Sequence, residues 1–384
     1  MNPKSLPRTI CILIFIFTLA LSGCSKSTAQ ATASLPPTPA PADTPAVPPT
    51  EAAPPAAAIP ATVPAGHWPT DGWRTSTPAE QGMDGEKIAQ LLAAIGDQKL
   101  AFHGLLIIRH GYIVSETYFG SYQQDTPHEQ YSVTKSFIST LVGIALDKGY
   151  IDSTSQRAVD FFPKDKFDNL DEQKQAMTLD DILTMRTGLD WDEGDTAYNT
   201  LYRSPDWVQY MLDLPMAAAP DERFNYCSGC SHLLSAIVQQ TTGKNPRDFA
   251  EENLFKPLGM KGVNWENNPA GIPIGGWGLH LTPREMAKLG YLFLHGGQWD
   301  GQQVVSAGWV AEATRSHTGT GGALGYGYQW WTHPGLKAYM ALGLYGQMIM
   351  VIPGSDLIIV TTAQMDNHDE IFRLVEEYIV PAVK

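Results

Sequence analysis

The apolar positions change their spacing along the chain, and each spacing predicts a different element. Residues 104–114 are rich in aliphatic side chains and are divided by His110-Gly111, which predicts two short strands joined by a tight turn. Between positions 137 and 145 the apolar residues instead recur three or four apart, the spacing of a helix packed on a core. Three further segments are predicted helices: residues 178–184, 231–241 and 283–294.

The C-terminal part is rich in aromatic and β-branched residues separated by turns. It predicts consecutive antiparallel strands over residues 325–331, 338–352 and 356–363, closed by a helix over residues 369–378. Strands at both ends of the folded part, with helices between them, predict one antiparallel sheet assembled from the two termini, flanked by helices and carrying a helical insertion subdomain. The predicted fold class is α+β.

Residues 1–24 have the features of a secretory signal. Lys4 and Arg8 precede an apolar run, residues 10–21, that is short for a membrane span. The run ends in Leu-Ser-Gly-Cys, which resembles a bacterial lipobox and makes Cys24 the candidate lipidated N-terminus. The alternative is an ordinary signal peptide with an incidental cysteine. The lipobox hypothesis places the protein in the bacterial cell envelope, lipid-anchored to the membrane and facing the periplasm or the exterior.

Composition divides the rest of the chain into two parts. Residues 25–66 are largely Ala and Pro with almost no charge, which predicts a disordered tether, and residues 67–384 are the predicted folded domain. Removing residues 1–23 leaves 24 basic and 40 acidic residues, a formal charge of −16. That charge argues against a nucleic-acid partner and against electrostatic membrane binding.

Cys227 and Cys230 are the cysteines of the folded part. Their spacing is compatible with a redox pair or half a zinc site, but no second Cys or His pair lies at metal spacing. We therefore expect no metal and no cofactor. The residues alone leave a disulfide and two buried free thiols equally open.

Ser132 and Lys135 are the candidate catalytic pair. Residues three apart share one face of a helix, so the lysine amine can approach the serine hydroxyl and act as its base. A pattern that fixes two positions is weak evidence alone. The alternative is that Ser132 caps a helix and Lys135 is a solvated surface residue.

Further landmarks follow this pair in order. They are residues 131–137 (Tyr-Ser-Val-Thr-Lys-Ser-Phe), 183–189 (Leu-Thr-Met-Arg-Thr-Gly-Leu), 224–229 (Phe-Asn-Tyr-Cys-Ser-Gly), 276–279 (Gly-Trp-Gly-Leu), 281–290 and 327–331 (Gly-Tyr-Gln-Trp-Trp). Together they resemble the penicillin-binding-protein-like serine hydrolases, and more narrowly the class C β-lactamase-related branch that includes D-aminopeptidases, serine esterases and 6-aminohexanoate-dimer hydrolase. The resemblance covers nearly all of residues 75–384 and implies the β-lactamase/DD-peptidase-like fold.

The resemblance implies that a second motif falls on Tyr226-Cys227-Ser228, so that Tyr226 faces Ser132 and Lys135. Free Tyr and Lys both titrate at about 10, so burial and mutual charge must lower one pKa before either is a base at neutral pH. We expect Lys135, directly or through Tyr226, to take the Ser132 proton, and Tyr226 to protonate the leaving group. The backbone N–H of Ser132 and one from the facing edge strand then hold the oxyanion, and water clears the acyl-enzyme.

The third motif departs from that of the β-lactamases, which carry Lys-Thr-Gly on the edge strand. The matching segment has no cation, and its Gly343, Leu344 and Gln347 join Ser228 as the candidate substrate-binding and oxyanion residues. A β-lactam carboxylate needs basic and hydroxyl groups, so an uncharged small-molecule or peptide-like ester or amide fits better as substrate. The alternatives are a β-lactamase or D-amino-acid peptidase of the same fold, and a catalytically silent cell-wall-binding domain.

Two other patterns have plainer interpretations. His-Thr-Gly at residues 317–319 imitates the missing third motif, but it lies in a Gly-rich loop and is treated as a decoy. The acids Asp190, Asp192, Glu193 and Asp195 lack the spacing of a calcium loop and are typical of a solvated loop.

Overall fold

The computed structural model describes residues 68–384. Its strands are β1 (Arg74–Thr75), β2 (Phe102–Arg109), β3 (Tyr112–Tyr118), β4 (His128–Glu129), β5 (Asn264–Trp265), β6 (Leu279–Leu281), β7 (Gln298–Trp299), β8 (Gln302–Gln303), β9 (Thr318–Gly319), β10 (Gly325–Tyr326), β11 (Trp331–His333), β12 (Ala338–Gly343), β13 (Gln347–Ile352) and β14 (Leu357–Ala363). Its α-helices are α1 (Gly85–Asp97), α2 (Thr134–Asp147), α3 (Glu172–Ala176), α4 (Leu179–Leu183), α5 (Asp195–Arg203), α6 (Trp207–Asp213), α7 (Ser228–Thr242), α8 (Pro246–Ala250), α9 (Pro283–Leu294), α10 (Ala307–Thr314) and α11 (Asp369–Leu374).

The main sheet is assembled from the two ends of the folded part. Within residues 68–384 its nine strands have the order β1-β3-β2-β14-β13-β12-β11-β10-β9. The N-terminal and C-terminal strands join where β2 pairs with β14 in antiparallel register. The short β1 pairs with β3 in parallel, a detail that the predicted antiparallel sheet lacked. The predicted α+β fold, with helices inserted between the two groups of strands, is confirmed.

The sheet separates two hydrophobic cores because side chains alternate along each strand. In β2, Leu105 and Ile107 pack toward α1 and α11, whereas Leu106 and Ile108 pack toward the inserted helices. On the second side α9 lies directly on the sheet. A Cβ at Gly290 would come within 2.9 Å of Ile349, so glycine permits that close approach.

The helix α2 is the central element of the second core. Every residue from 134 to 145 is buried, including hydroxyl-bearing residues that need partners. Ser136 Oγ donates to the Gln329 carbonyl and Ser139 Oγ donates to the Tyr328 carbonyl, each at 2.7 Å. These bonds fix α2 and hence the turn that precedes it.

The same bonds explain one wrong prediction. Residues 325–331 were expected to form one strand, but β10 ends at Tyr326 and β11 begins at Trp331. The intervening segment turns toward α2, with Gln329 at a φ of 62°. Its buried side chain accepts from Ser231 Oγ at 2.7 Å, so hydrogen bonds to the inserted helices replace the sheet ladder.

Other predicted elements are present, some with different ends. The predicted helix over 231–241 begins earlier, at Ser228, residues 338–352 form two strands, and the last α-helix ends at Leu374 rather than at residue 378.

The predicted hairpin is present, and its turn consists of His110 and Gly111. Both residues have a positive φ, as a two-residue hairpin turn requires. The α9 helix spans the predicted residues, and α4 carries a capping box between Thr178 and Asp181. The predicted signal, Cys24 lipidation and tether lie outside the described residues. None of the helices within residues 68–384 is long and apolar enough to cross a membrane.

Candidate active site

Ser132 lies on a short 3-10 turn, Tyr131–Val133, that leads directly into α2. Tyr131 has a φ of 45°, a left-handed conformation that non-glycine residues rarely adopt and that is often found at functional sites. Lys135 follows in the first turn of α2 and its Nζ lies 2.9 Å from Ser132 Oγ. The structure therefore brings the predicted pair together. A solvated Lys135 is excluded, because that side chain is 1% exposed.

The Lys135 amine is surrounded by oxygen acceptors. Besides Ser132 Oγ, it donates to Ser228 Oγ at 2.8 Å and to the Gly276 carbonyl at 3.0 Å. Burial lowers the pKa of Lys135 to about 8, and the nearby Glu193 carboxylate opposes that effect. A substantial share of the amine is therefore neutral near pH 8 and able to accept a proton.

The directions of these hydrogen bonds orient the neutral amine. Ser228 donates its hydroxyl proton to Glu193, so its oxygen can only accept from Lys135. The Gly276 carbonyl is also an acceptor only. The two protons of a neutral amine are thus used by Ser228 and Gly276, and the lone pair faces Ser132. Ser228 was predicted to contact substrate, but it is 1% exposed and its hydroxyl is committed to Lys135 and Glu193.

Tyr226 lies beside the pair and is suited to donate a proton. Its ring centroid is 4.8 Å from Lys135 Nζ, and its ring stacks on Trp331 at 5.6 Å. Burial and then the charge of Glu193 raise the pKa of Tyr226, while a hydrogen bond with Ser132 acts in the opposite direction. A tyrosine with a raised pKa stays protonated at neutral pH, so Lys135 is the better base of the two.

Glu193 is the residue that the sequence interpretation missed. It was assigned to a solvated loop, but it accepts from Trp191 Nε1 at 2.5 Å, Tyr198 Oη at 2.5 Å and the Ser228 backbone N–H at 2.9 Å, as well as from the Ser228 hydroxyl. All four partners are donors, which suits an ionised carboxylate. Nothing in the spacing of the loop acids distinguishes Glu193 from its exposed neighbours Asp190 and Asp192.

A disulfide joins Cys227 to Cys230, which resolves the alternative left open by the sequence. Cys227 stands between Tyr226 and Ser228 and is the N-cap residue of α7. Both cysteines are buried. The bond therefore closes the first turn of α7 around the residues that contact Lys135.

Comparison with known proteins identifies the family of this chain. The family model described as Beta-lactamase matches residues 86–382. The chain belongs to the β-lactamase family. It is 24% identical over 320 residues to 6-aminohexanoate-dimer hydrolase of Paenarthrobacter ureafaciens, covering 77% of this chain and 81% of that protein.

Solved structures agree on the fold. A family VIII carboxylesterase superposes with a TM-score of 0.65 at 16% identity, covering 80% of this chain and 98% of that one. A penicillin-binding protein homologue from Caulobacter crescentus gives a TM-score of 0.60 at 16% identity, with the same coverage of 80% and 98%. These structures show that the chain has the fold of β-lactamase-related serine hydrolases.

The third-motif segment of this family member lies beside the Ser132 turn, at the end of β12. The sequence interpretation expected it on an edge strand, but β12 pairs with both β11 and β13 and is an interior strand of the sheet. A Cβ at Gly343 would come within 2.3 Å of the Gln130 carbonyl oxygen, so glycine lets the end of β12 pack against that turn. Leu344 is 41% exposed and is free to contact a ligand. No side chain of residues 341–347 is basic. The decoy segment was expected in a loop, but its Thr318 and Gly319 form β9, three strands away from β12 at the edge of the sheet.

Gln347 does not extend into the cleft as expected for a substrate-binding residue. Its side chain is buried and donates to the Leu344 and Ala363 carbonyls at 3.0 and 2.9 Å. It therefore braces the turn between β12 and β13. In that turn Tyr345 has a φ of 64°, and its ring packs edge-on against Tyr131 at 5.4 Å. Two residues in left-handed conformations thus meet next to Ser132.

Proposed function

We propose that the protein is a serine hydrolase that cleaves an ester or amide through an acyl-enzyme on Ser132. The observation that carries the proposal is the orientation of Lys135. Its Nζ lies 2.9 Å from Ser132 Oγ, and two fixed acceptors occupy its remaining protons. A buried amine held in this way supports a general base directed at one hydroxyl.

The proton path follows from the same contacts. Neutral Lys135 takes the Ser132 proton as Oγ forms a bond to the acyl carbon. Tyr226 gives its proton to the leaving group as the scissile bond breaks, and Lys135 then returns a proton to Tyr226. Water attacks the acyl-enzyme in the second half of the reaction, losing a proton to Lys135, and Ser132 recovers a proton when its bond to the acyl carbon breaks.

The cleft favours an uncharged group next to the scissile bond. The third-motif segment offers the Leu344 side chain and backbone groups, with Tyr131 and Tyr345 as an aromatic wall beside Ser132. It offers no basic side chain that could grip a carboxylate. The similarity to a carboxylesterase and to 6-aminohexanoate-dimer hydrolase supports an ester or amide substrate in preference to a β-lactam.

We also propose that the protein is lipid-anchored through Cys24 and acts in the bacterial cell envelope, without a nucleic-acid partner. The lipobox-like sequence carries this proposal, and a disulfide in the folded part suits an oxidising compartment. Expression in bacteria with a Cys24→Ser control tests it. The parent protein should fractionate with membranes and incorporate labelled fatty acid, and the variant should do neither.

The catalytic proposal is tested by assaying the protein and its Ser132→Ala variant on p-nitrophenyl butyrate, a matched anilide and a chromogenic cephalosporin. We expect ester or anilide turnover that falls by about 10⁴-fold or more in the variant, with little cephalosporin turnover. Mass spectrometry of the protein after quenching with acid should show one acyl adduct on the Ser132 peptide.

Two outcomes would contradict the proposal. Efficient cephalosporin turnover would show that backbone groups alone hold the carboxylate and that the protein is a β-lactamase. Absence of both turnover and a Ser132 adduct, in a protein that still binds cell-wall fragments, would favour the catalytically silent binding domain.

A further inference from the structure

Gln329 is a buried residue in the segment between β10 and β11, behind the catalytic side chains. It is 2% exposed and has a φ of 62°. A left-handed conformation is unfavourable for residues other than glycine and persists only where the surrounding contacts hold it. The contacts of Gln329 therefore maintain its conformation, and they lead to three segments of the candidate active site.

The first contact reaches the helix that carries Lys135. Ser136 Oγ donates to the Gln329 carbonyl at 2.7 Å, and Ser136 is the residue after Lys135. Both Ser136 and Gln329 are buried, so bulk water does not compete for this bond. The backbone of Gln329 thus fixes α2 at the turn from which the Lys135 amine extends.

The second contact reaches the helix that carries Ser228. Gln329 Oε1 accepts from Ser231 Oγ at 2.7 Å. Ser231 lies three residues after Ser228 on α7, and residues three apart share one face of a helix. Ser228 is the residue whose hydroxyl oxygen lies 2.8 Å from Lys135 Nζ. Gln329 is therefore bonded to both helices that meet at the contact between Lys135 and Ser228.

The third contact reaches the segment that carries Tyr226. Gln329 Nε2 donates to two carbonyls at the C-terminal end of α4, at 2.9 and 3.2 Å. Met185 follows α4 and accepts from the backbone N–H groups on either side of Tyr226. Its carbonyl accepts from Asn225 at 2.8 Å, and its sulfur accepts from Cys227 at 3.3 Å. Gln329 thus holds the support of the Tyr226 backbone.

The side chain of Gln329 uses both N–H groups and its oxygen in these contacts. We propose that Gln329 is a positioning residue for the hydrolysis, which keeps α2, α7 and the end of α4 at the spacing that places Lys135 against Ser228 and Tyr226. This inference rests on the proposed function, but the spacing itself can be measured without turnover.

Two variants remove the connection from opposite sides. Gln329→Met keeps the length of the side chain and removes its three hydrogen bonds, whereas Ser231→Ala removes only the bond to α7. Thr140→Val is the matched control, because Thr140 is a buried residue whose hydroxyl donates to the Ser136 carbonyl within α2, at 2.8 Å, and does not reach Gln329.

Steady-state kinetics on the best ester substrate should separate these variants. We expect kcat to fall by about tenfold in Ser231→Ala and by about 10–100-fold in Gln329→Met, since small misplacements of catalytic groups cost that much. KM should change by less than about threefold, and Thr140→Val should stay within about twofold of the parent. The double variant should fall no further than Gln329→Met, because both changes remove one shared bond.

A titration of Lys135 measures the same displacement without turnover. Lysine labelled with ¹³C at Cε gives a signal for Lys135 that is assigned by its absence in Lys135→Ala. Burial is the main cause that lowers the pKa of Lys135 to about 8, and a looser contact between α2 and α7 admits water. The midpoint should therefore rise by about half a pH unit or more in Ser231→Ala and Gln329→Met, and stay fixed in Thr140→Val.

The outcomes distinguish the inference from the proposed function. An unchanged kcat in Ser231→Ala and Gln329→Met, in a protein whose parent turns over ester, would overturn the inference alone. An equal loss in Thr140→Val would also overturn it, since the effect would then be general destabilisation. A parent without Ser132-dependent turnover would contradict the proposed function, and the Lys135 midpoints would then decide. If Gln329→Met fails to fold, Ser231→Ala decides, because it removes a single hydroxyl group.

Discussion

The catalytic cleft and the distant cavity, which Arg109 and Asp356 line beside the turn between β13 and β14, both bury charged side chains, but they differ in how those charges are partnered. At the cleft, Lys135 Nζ has three oxygen partners within 3.0 Å and Glu193 accepts four hydrogen bonds. At the cavity, Arg109 and Asp356 each retain an atom without a partner among the described residues. The network at the cleft is complete, whereas the network around Arg109 and Asp356 is not.

This difference indicates two outcomes of burying charge. A complete network fixes the direction of each proton, which suits chemistry that moves one proton between known atoms. An incomplete network of enclosed atoms costs folding free energy, because each unpartnered atom loses its hydrogen bonds to water on burial. Removing a member of the first network should reduce activity through misdirected protons, and removing the charge of Asp356 in the second should have a small effect on stability.

The strongest test of the complete network is Lys135→Ala. Loss of the base should lower kcat/KM by about 10³–10⁴-fold for the best ester substrate, because general-base catalysis contributes about 10²–10⁴-fold and the replacement leaves Ser228 without its donor. Added propylamine should restore part of the rate. Lys148→Ala, at the exposed C-terminal end of the same helix, is the control and should keep the parent rate. Equal rates in the two variants would remove Lys135 from the mechanism.

Tyr226→Phe should have the next largest effect. It removes the proton donor to the leaving group while keeping the ring that packs on Trp331, so kcat should fall by about 10²–10³-fold. The loss should be smaller for a p-nitrophenyl ester than for an alkyl ester, since p-nitrophenolate leaves without a proton. Tyr326→Phe removes the neighbouring buried hydroxyl and serves as the control. A loss that does not depend on the leaving group would contradict the role of acid.

Glu193→Gln tests the hydrogen-bond directions. Two of the four donors around Glu193 are fixed N–H groups, so the glutamine oxygen should face them and its amide should face the hydroxyls of Tyr198 and Ser228. The Ser228 hydroxyl must then donate its proton to the lone pair of the Lys135 amine. That lone pair is no longer available to accept the Ser132 proton. We expect kcat to fall by about 10–100-fold with the fold intact.

The pH profile distinguishes this role from simple destabilisation. In the parent protein kcat/KM should rise with pH through a midpoint near the Lys135 pKa of about 8, because only the neutral amine is a base. The Glu193 charge raises that pKa, so the midpoint should move to lower pH in Glu193→Gln. Asp192→Asn makes the same change at an exposed residue of the same loop and should leave the midpoint where it was. A midpoint that stays fixed in both variants would mean that Glu193 acts only in packing.

Local signals in the sequence were enough for most of the fold. The hairpin at His110-Gly111, the start of α9 and the capping box of α4 depend on turn residues and caps within a few positions, and the structure confirms them. The interruption between β10 and β11 depends on Gln329 bonding to Ser231, about 100 positions earlier in the chain. Such a contact between distant segments leaves no local pattern.

The same distinction applies to the candidate site. Ser132 and Lys135 are three residues apart, so helical geometry predicts their contact, and the order of landmarks predicts Tyr226. Glu193 and Ser228 meet only because the loop before α5 folds over the start of α7. Gln347 was misassigned because its position in the motif says nothing about where its amide points, and the amide is used by the Ala363 backbone.

The disulfide should matter more for stability than for catalysis. Replacing both Cys227 and Cys230 by Ala should lower the free energy of unfolding by about 2 kcal/mol, the value expected for opening a loop of this length. For a folded part of this size that corresponds to a Tm lower by about 3 °C. Because Lys135 keeps its partners, kcat should change by less than about tenfold. A much larger loss of kcat with the same Tm would show that the disulfide positions Tyr226 directly.

The smallest expected effect comes from the matched carboxylate-to-amide change in the distant cavity, Asp356→Asn. In ligand-free protein it removes a carboxylate whose Oδ1 has no partner among residues 68–384, at a φ of 46° that favours asparagine, so the free energy of unfolding should change by less than about 1 kcal/mol. Glu193→Gln, which disturbs four hydrogen bonds, should lower it by about 2–3 kcal/mol. Urea unfolding of the two variants beside the parent measures the contrast. Equal losses would mean that Asp356 is satisfied within the fold and that its carboxylate stabilises the protein as much as that of Glu193 does.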